Sequence, residues 1–386
     1  MRTIAPLILS CVLALVAEAT AEEVRPPLKA LLAIGKEGDG NPQAAAAWKQ
    51  LVQTGPLAIP DLLAAFDDTK PVANNWLRTA CDAIGERELQ AGRPLAAEPF
   101  EKFVKDTHHS AVGRRIAYEW LVRLDPKAPA RLLPTMLDDP SAELRRDAVN
   151  VLIEDGKRLV DQANKDDAKA LLLKAFAASR DRDQVDAIAD QLKKLGTEVD
   201  LVAHLGVIQR WLIATSFDNV GGGGFATAYP PEKVVDLNAV LKGKGNAEVR
   251  WKEYATTDPY GLLDLNKEIG KEKGVVTYAF AAVESPKEQA IEIRAGSNNA
   301  IKLFLNGKEL FFREEYHHGI HFDQHVGVGT LRAGRNEILV KICQNEQTEN
   351  WAQSWSFQVR VCDAIGGAVP LKFLPEKPKV GEKGQP

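Results

Sequence analysis

Ready-made catalytic signatures are missing from this chain. There is no G-x-S-x-G elbow, no H-E-x-x-H, no C-x-x-C and no dinucleotide glycine fingerprint, which removes the compact arrangements for serine hydrolysis, zinc proteolysis, dithiol exchange and nicotinamide binding. Clustered lysine and arginine are missing too. With a net charge of −4 the chain has no electrostatic grip on nucleic acid or an anionic membrane, because phosphate binding draws on grouped cations and the counterions they release. Carboxylates are abundant, 53 in all, so a glycosidase-like pair could be named almost anywhere and none is singled out.

Cysteine is scarce, at four residues. Cys11 lies in an amino-terminal apolar run, leaving Cys81, Cys343 and Cys362. Cys343 and Cys362 fall in two consecutive strand-like segments that read as a hairpin with its loop near 344–354. In such a ladder they are offset by several residues at ~3.3 Å each, beyond the ~7 Å Cα limit of a bridge. No disulfide is expected.

What is present begins with an address. Arg2 precedes an apolar run from Ile4 to Val16, followed by the A-x-A pattern at Ala17-Glu18-Ala19 and Ala19-Thr20-Ala21. That reads as a signal peptide over 1–21, for export to a periplasmic or extracellular space. The run is shorter than the ~20 residues of a spanning helix, so no membrane insertion is expected. Cys11 raises a lipoprotein alternative, which the apolar residues continuing from Val12 to Val16 disfavour. A chain of 386 residues, 45% apolar and 26% charged, has room for two ordinary globular domains.

Two periodicities divide the remainder. From Pro42 to about Leu205 apolar residues recur at helical spacing, and "SAVGRRIAYEWL" from Ser110 matches "SAELRRDAVNVL" from Ser141 at an offset of 31. Weaker copies place further helix centres at Ala80 and Ala189 beside Ala117 and Ala148. In the best copy Leu144, Ala148, Val151 and Leu152 form one stripe, with Arg145, Arg146 and Asn150 pointing away. Asp139 is the expected helix cap, with Pro140 at the first helical position. A helix pair with one apolar stripe cannot bury it alone, so successive pairs stack.

The segment "LLPTMLDDPSAELRRDAVNVLIEDG" resembles a HEAT repeat, and "LLAAFDDTKPVANNWLRTACDAIGE" is a looser copy. The resemblance implies an all-α HEAT-like solenoid over 22–206 that docks a protein partner.

After Leu205 the period becomes two, in "QAIEIRA", "IKLFLNGKEL", "EILVKIC" and "SFQVRVC". Asn306-Gly307 signals a hairpin and "RAGRNE" another turn. Eight or nine strands without intervening helix predict an antiparallel β-sandwich over 207–368. "WLIATSFDNVGGGGFATAYPPE", "LRAGRNEILVKICQN" and "NWAQSWSFQVRV" resemble galactose-binding-like jelly-roll domains of secreted bacterial proteins. The resemblance implies a glycan, a protein, or mere support of a neighbour as the sandwich's business. The charged, Pro/Gly-rich end over 369–386 reads as a disordered tail.

Four of seven histidines fall within "EEYHHGIHFDQH". His317, His321 and His325 at i, i+4, i+8 would converge on a zinc ion only on a helix, and Gly319 with its aromatic neighbours disfavours one. In an extended chain residues four apart lie ~13 Å apart, so a polar connection between strands is expected and no metal or other cofactor. Tyr316 and His317 remain candidates for stacking on a sugar and donating to it.

Gly221 to Gly224 lacks the Lys-Ser/Thr and the helix of a phosphate loop and reads as a flexible connection. Trp355 and Trp251 share parity with apolar strand residues and are assigned to the core. Trp351, with Asn350 in the polar stretch "NEQTENWAQ", is the candidate ligand platform. The chain is accordingly expected to be an exported, non-catalytic binding protein. The alternatives are an assembly role, with the sandwich capping the solenoid, and a glycan-active or metal-dependent hydrolase.

Overall fold

The computed structural model describes residues 23–93 and 95–375. The expected signal peptide and Cys11 lie outside the described residues. Helices occupy 23–205 and antiparallel sheets follow from 210, as the two periods predict. Among the described residues no helix is long and apolar enough to cross a membrane. The chain forms two compact units that divide between Arg158 and Leu159.

The helices are α1 (23–32), α2 (Asn41–Thr54), α3 (Ile59–Ala64), α4 (Pro71–Gln90), α5 (Ala97–Lys105), α6 (Ala111–Leu124), α7 (Ala128–Leu132), α8 (Ala142–Asp161), α9 (Lys165–Ala178), α10 (Arg182–Lys194) and α11 (Leu201–Leu205). In the first unit the Ser-Ala of the repeat is a helix cap. Ser110 Oγ accepts from Gly113 N–H at 3.0 Å, and Ser141 Oγ from Leu144 N–H at 3.5 Å, each satisfying an amide with no partner inside the helix. Ser141 thus takes the place expected of Asp139, and Pro140 precedes the helix.

Asp139 does something else. Its carboxylate holds Ser141 N–H at 2.8 Å and both terminal nitrogens of Arg114 at 2.7 and 2.6 Å, while Arg114 Nε donates to Val104 O at 2.8 Å. Arg145, expected to face water, is buried and donates to Asp139 O at 2.6 Å. That inward turn widens the buried face of α8. Val149 and Ile153 are buried with Leu144 and Ala148, whereas Val151 and Leu152 are only half-buried. Helices α4 and α6 approach closely where Gly85 faces the Trp120 ring, and a Cβ at Gly85 would come within 2.3 Å of it.

The second unit holds α9–α11 and the strands β1 (Arg210–Asp218), β2 (Leu241–Lys242), β3 (Glu248–Val249), β4 (Lys252–Ala255), β5 (Leu263–Asp264), β6 (Val275–Ser285), β7 (Gln289–Ser297), β8 (Ile301–Leu305), β9 (Lys308–Arg313), β10 (His325–Leu331), β11 (Gly334–Gln344), β12 (Ser356–Cys362) and β13 (Lys372–Leu374). One sheet runs β4-β1-β6-β11-β8-β9, with β13 also on β6, a second runs β10-β7-β12-β5, and β2-β3 form a small third. Every pairing is antiparallel. Trp211, Ile213, Val340 and Ile342 of the first sheet meet Ile293, Phe357, Val359 and Val361 of the second in one core. Trp355 and Trp251 are buried, as their parity predicts. Asn306 and Gly307, at φ 53° and 80°, turn β8 into β9.

Several expectations are corrected. Strands β11 and β12 are not a hairpin: they belong to opposite sheets, so the segment between them crosses the sandwich, and Cys343 and Cys362 are separate buried thiols. Short helices α12 (Gly223–Ala226), α13 (Pro230–Lys233) and α14 (Leu265–Glu268) interrupt the strand region, and the glycine run forms a helical turn at Val220–Gly222 that leads into α12. The expected tail supplies β13, whose Phe373 pairs with Val283. Residues 376–386 lie outside the described residues.

Two buried cations organise this unit. Lys341, fully buried on β11, donates to Phe225 O at 2.9 Å, Thr227 O at 2.8 Å and Glu232 Oε1 at 2.8 Å. These bonds hold the 219–251 segment, with Phe225, Tyr229 and Trp251, over the outer face of the first sheet. Arg360 on β12, 1% exposed, reaches Asp323 through Nε at 2.7 Å and Nη2 at 2.6 Å, and Leu205 O and Gly366 O through Nη1 at 3.2 and 2.8 Å. Leu205 ends α11, so this guanidinium ties helix to sheet. Gly206, at φ 71°, accepts from Val361 N–H, and a Cβ there would lie 2.3 Å from Val361 O. Around the joint Val185, Leu205, Val207 and Tyr260 pack with Phe176 and Phe322.

Removing one partner of a buried ion pair strands the other charge. Asp139→Ala is therefore expected to destabilise the helical unit by about 3–5 kcal/mol, and Arg114→Met with Asp139→Leu to recover most of that loss. Urea denaturation followed by far-ultraviolet circular dichroism measures both. Burial alone would raise the Asp323 carboxyl, but the Arg360 and Arg294 guanidinium groups hold it below its ordinary value. A depressed acid contributes stability that is complete above its unfolded value of ~3.9 and is lost as pH falls through the folded value. Melting curves should show Asp323→Asn less stable than wild type at neutral pH, with the gap narrowing below about pH 4.

Candidate functional site

Four connections meet at one end of the sandwich: 298–300 between β7 and β8, 314–324 between β9 and β10, 345–355 between β11 and β12, and Asn219 beyond β1. Amide side chains bind them together. Asn299, fully buried, donates to Ser354 O at 2.8 Å and accepts from His317 N–H at 3.1 Å. Asn298 O accepts from His318 N–H at 3.0 Å. Buried Asn219 donates to Gln344 O and to the Tyr316 hydroxyl, both at 3.1 Å. Loop backbone away from a sheet ladder needs such partners, and Asn offers donor and acceptor together on a short stem.

On this frame stands Trp351. It is 62% exposed, in the short turn Asn350–Ala352. Lys273 Nζ donates to Ala352 O at 2.8 Å, and Gln353 Nε2 donates to Thr348 O and Glu349 O at 2.6 and 2.9 Å, which hold the turn at both ends. Burial lowers the Lys273 ammonium from its ordinary value. The His317 imidazole meets the indole edge-on, with ring centroids 5.4 Å apart at 84°. That imidazole is itself placed by Asn345 Oδ1, 2.6 Å from Nε2, and its backbone lies in the left-handed region at φ 58°.

Tyr316 is half-buried against the covered face of the first sheet, its hydroxyl turned to Asn219. Burial, partly offset by that amide, pushes its phenol up to about 12. The structure thus brings Tyr316, His317, Asn350 and Trp351 to one loop cluster, with His317 in ring contact with both Tyr316 and Trp351. Trp351 carries the exposed apolar face, and exposed Gln347, Glu349 and Asn350 surround it in sequence.

The histidine segment folds back on itself, with Asp323 at φ 60° as a second left-handed residue. His318 and His325 approach to 6.2 Å between ring centroids, but His318 Nδ1 lies 3.0 Å from Gln324 Nε2 and His325 stacks on Phe311 at 5.0 Å. Burial lowers the His325 imidazolium. Among the described residues no three His, Cys, Asp or Glu side chains converge as ligands for a metal. Sequence reasoning passed over Asn219, Asn299 and Asn345, which place the site. The run "SNNA" between β7 and β8 was the available signal, since paired asparagines between apolar strands mark backbone in need of side-chain partners.

Comparison with known proteins adds little. No protein-family model matches the chain, and no curated protein matches it in sequence. Among solved structures, an anti-sigma factor domain-containing protein overlaps with 9% identity and a TM-score of 0.23, over 42% of this chain and 49% of its own. A β-glucosidase from Kluyveromyces marxianus overlaps with 9% identity and a TM-score of 0.28, over 74% of this chain and 35% of its own. The chain therefore spans between a third and a half of the length of these two proteins. An alkylpurine DNA glycosylase of Pseudomonas fluorescens overlaps with 12% identity and a TM-score of 0.22, over 93% and 98% of the two chains. Likenesses of this extent carry no activity across.

Proposed function

We propose that this chain is an exported, non-catalytic binding protein. A galactose-binding-like sandwich holds a glycan on the loop surface around Trp351, and a HEAT-like helical region docks a protein partner. Export rests on Arg2, the apolar run and the A-x-A pattern. The glycan reading rests on one observation: an indole 62% exposed on a turn whose neighbours, His317 and Lys273, are fixed by hydrogen bonds. A flat ring held still offers apolar area to the C–H face of a pyranose at little entropic cost, and nearby amides reach its hydroxyls. The second reading, a purely structural role for the sandwich, is favoured by the apolar joint in which α10 and α11 pack on Tyr260 and Phe322.

Trp351→Ala separates them. Burying an aromatic face is worth ~1.5–3 kcal/mol, so the substitution should weaken binding to a polysaccharide found on a glycan array by about 10- to 100-fold. The melting temperature should hold, because the ring is mostly in water. His317→Ala should weaken binding less, by loosening the ring. A wild-type protein that binds no glycan on the array removes the carbohydrate reading and leaves the structural one.

A further inference from the structure

Strand β6 changes neighbours part-way along one side. On its other side it pairs with β11 without interruption from Val275 to Ser285. On this side β1 reaches Phe280 through Leu212 and β13 begins at Ala282 through Leu374, which leaves Ala281 between them. Both strands are antiparallel to β6, so they run in the same direction and the end of β13 abuts the start of β1. They cannot share the place: continued along β6, β1 would set Arg210 against Ala282, which Leu374 already holds. Arg210 and Trp211 pair instead with Ala255 and Tyr254 of β4. Pro375, which has no N–H to give a ladder, follows β13.

The parting strands leave a half-open cavity of about 510 Å³. Its walls include Val202 and Val207 from the helix joint, Leu212 and Phe280 from the sheet, and Phe373 and Pro375 across the gap. Volume and lining match those of small-molecule sites, where an apolar body is buried and a few polar atoms orient it. The polar side chains here are nearly all committed. Gln209 Nε2 donates to Asp258 O at 3.0 Å, and Arg210 pairs with Glu253 at 3.2 Å, so their charges offset each other. The Trp211 indole, 1% exposed, is the exception: its Nε1–H is buried and has no acceptor among the described residues. An unmet buried donor keeps its full desolvation penalty, which an acceptor on a ligand removes.

We propose that this cavity binds a neutral, mainly apolar small molecule of fused-ring size that carries one hydrogen-bond acceptor, taken by Trp211 Nε1. A carboxylate would find Arg210 engaged by Glu253. The chain's own end suits the cavity poorly, since residues 376–386 carry charge at Glu376, Lys377, Lys379, Glu382 and Lys383 and one aliphatic side chain, Val380.

Fluorescence titration of the full mature chain with prodan, a neutral aminonaphthalene bearing one ketone, tests this. A single dye should bind per chain with blue-shifted emission, and the same dye without its propionyl group should bind about tenfold more weakly. Val202→Trp, at a half-buried helix position, should fill the cavity and weaken prodan at least tenfold with the circular dichroism unchanged. Phe373→Ala, at a position 44% exposed, should weaken it several-fold by removing a wall. The absence of saturable binding, equal affinity for both dyes, or affinity untouched by both substitutions would each overturn the proposal. So would binding that appears only after removal of residues 376–386, which would make the chain's own end the occupant, or binding lost in Trp351→Ala, which would place the dye on the loop surface.

Discussion

A cation taken out of water has to find both a counter-charge and enough acceptors for its remaining protons, or the fold loses several kcal/mol. Three buried cations meet this requirement in the same way. Arg114 takes Asp139 and the carbonyl of Val104, Lys341 takes Glu232 and the carbonyls of Phe225 and Thr227, and Arg360 takes Asp323 and the carbonyls of Leu205 and Gly366. In each case the cation stands on a regular element and most of its acceptors come from segments outside that element. Apolar packing holds helices and sheets; these cations fix the irregular chain between them. The directional nature of the bonds matters more than their net energy, because a carbonyl must be presented at one distance and angle to be accepted.

The candidate site follows the same logic with neutral groups. Asn219, Asn299 and Asn345 do for the loop end what the cations do elsewhere, with donor and acceptor on one short neutral stem. Asp323 connects the two systems. It ends the looped-back histidine segment whose other end carries His317, and it is gripped by Arg360 and Arg294. The backbone of that segment is therefore fixed at both ends, at Asn299 and at Arg360, and the His317 ring reaches Trp351 from a settled position. Rigidity of this kind lowers the ordering cost of binding and favours an exposed ring as a platform.

How much of this the sequence discloses depends on whether the cause is local. The change of period near Leu205, the core parity of Trp251 and Trp355, and the Asn306-Gly307 turn are local, and each is legible. The repeated Ser-Ala is legible as a repeat, but Asp-Pro carries a cap signal of its own that points to Asp139, where Ser141 is the cap. Asp139 was drawn away by Arg114, 25 residues earlier, a partner that no window of a helix contains. Lys341 has the parity of a solvent-facing strand residue. It does face outward from the sandwich core, but the 219–251 segment covers that face, and only the tertiary fold reveals the cover.

The hairpin expected of β11 and β12 fails for a physical reason. Both strands are buried on both sides for most of their length, so the period of two marks each as a strand without saying which sheet it joins. A hairpin would have placed residues 345–355 at a tight turn along one sheet. A crossing between sheets instead stretches them across the end of the sandwich, over the β7–β8 connection, where Asn299 can reach Ser354 and Asn345 can reach His317. Had the two strands been neighbours, Trp351 would sit at a hairpin tip with only its own strands for support. The crossing sets it over three other connections, so the topological detail that the sequence hid is the one that makes the exposed indole a fixed surface.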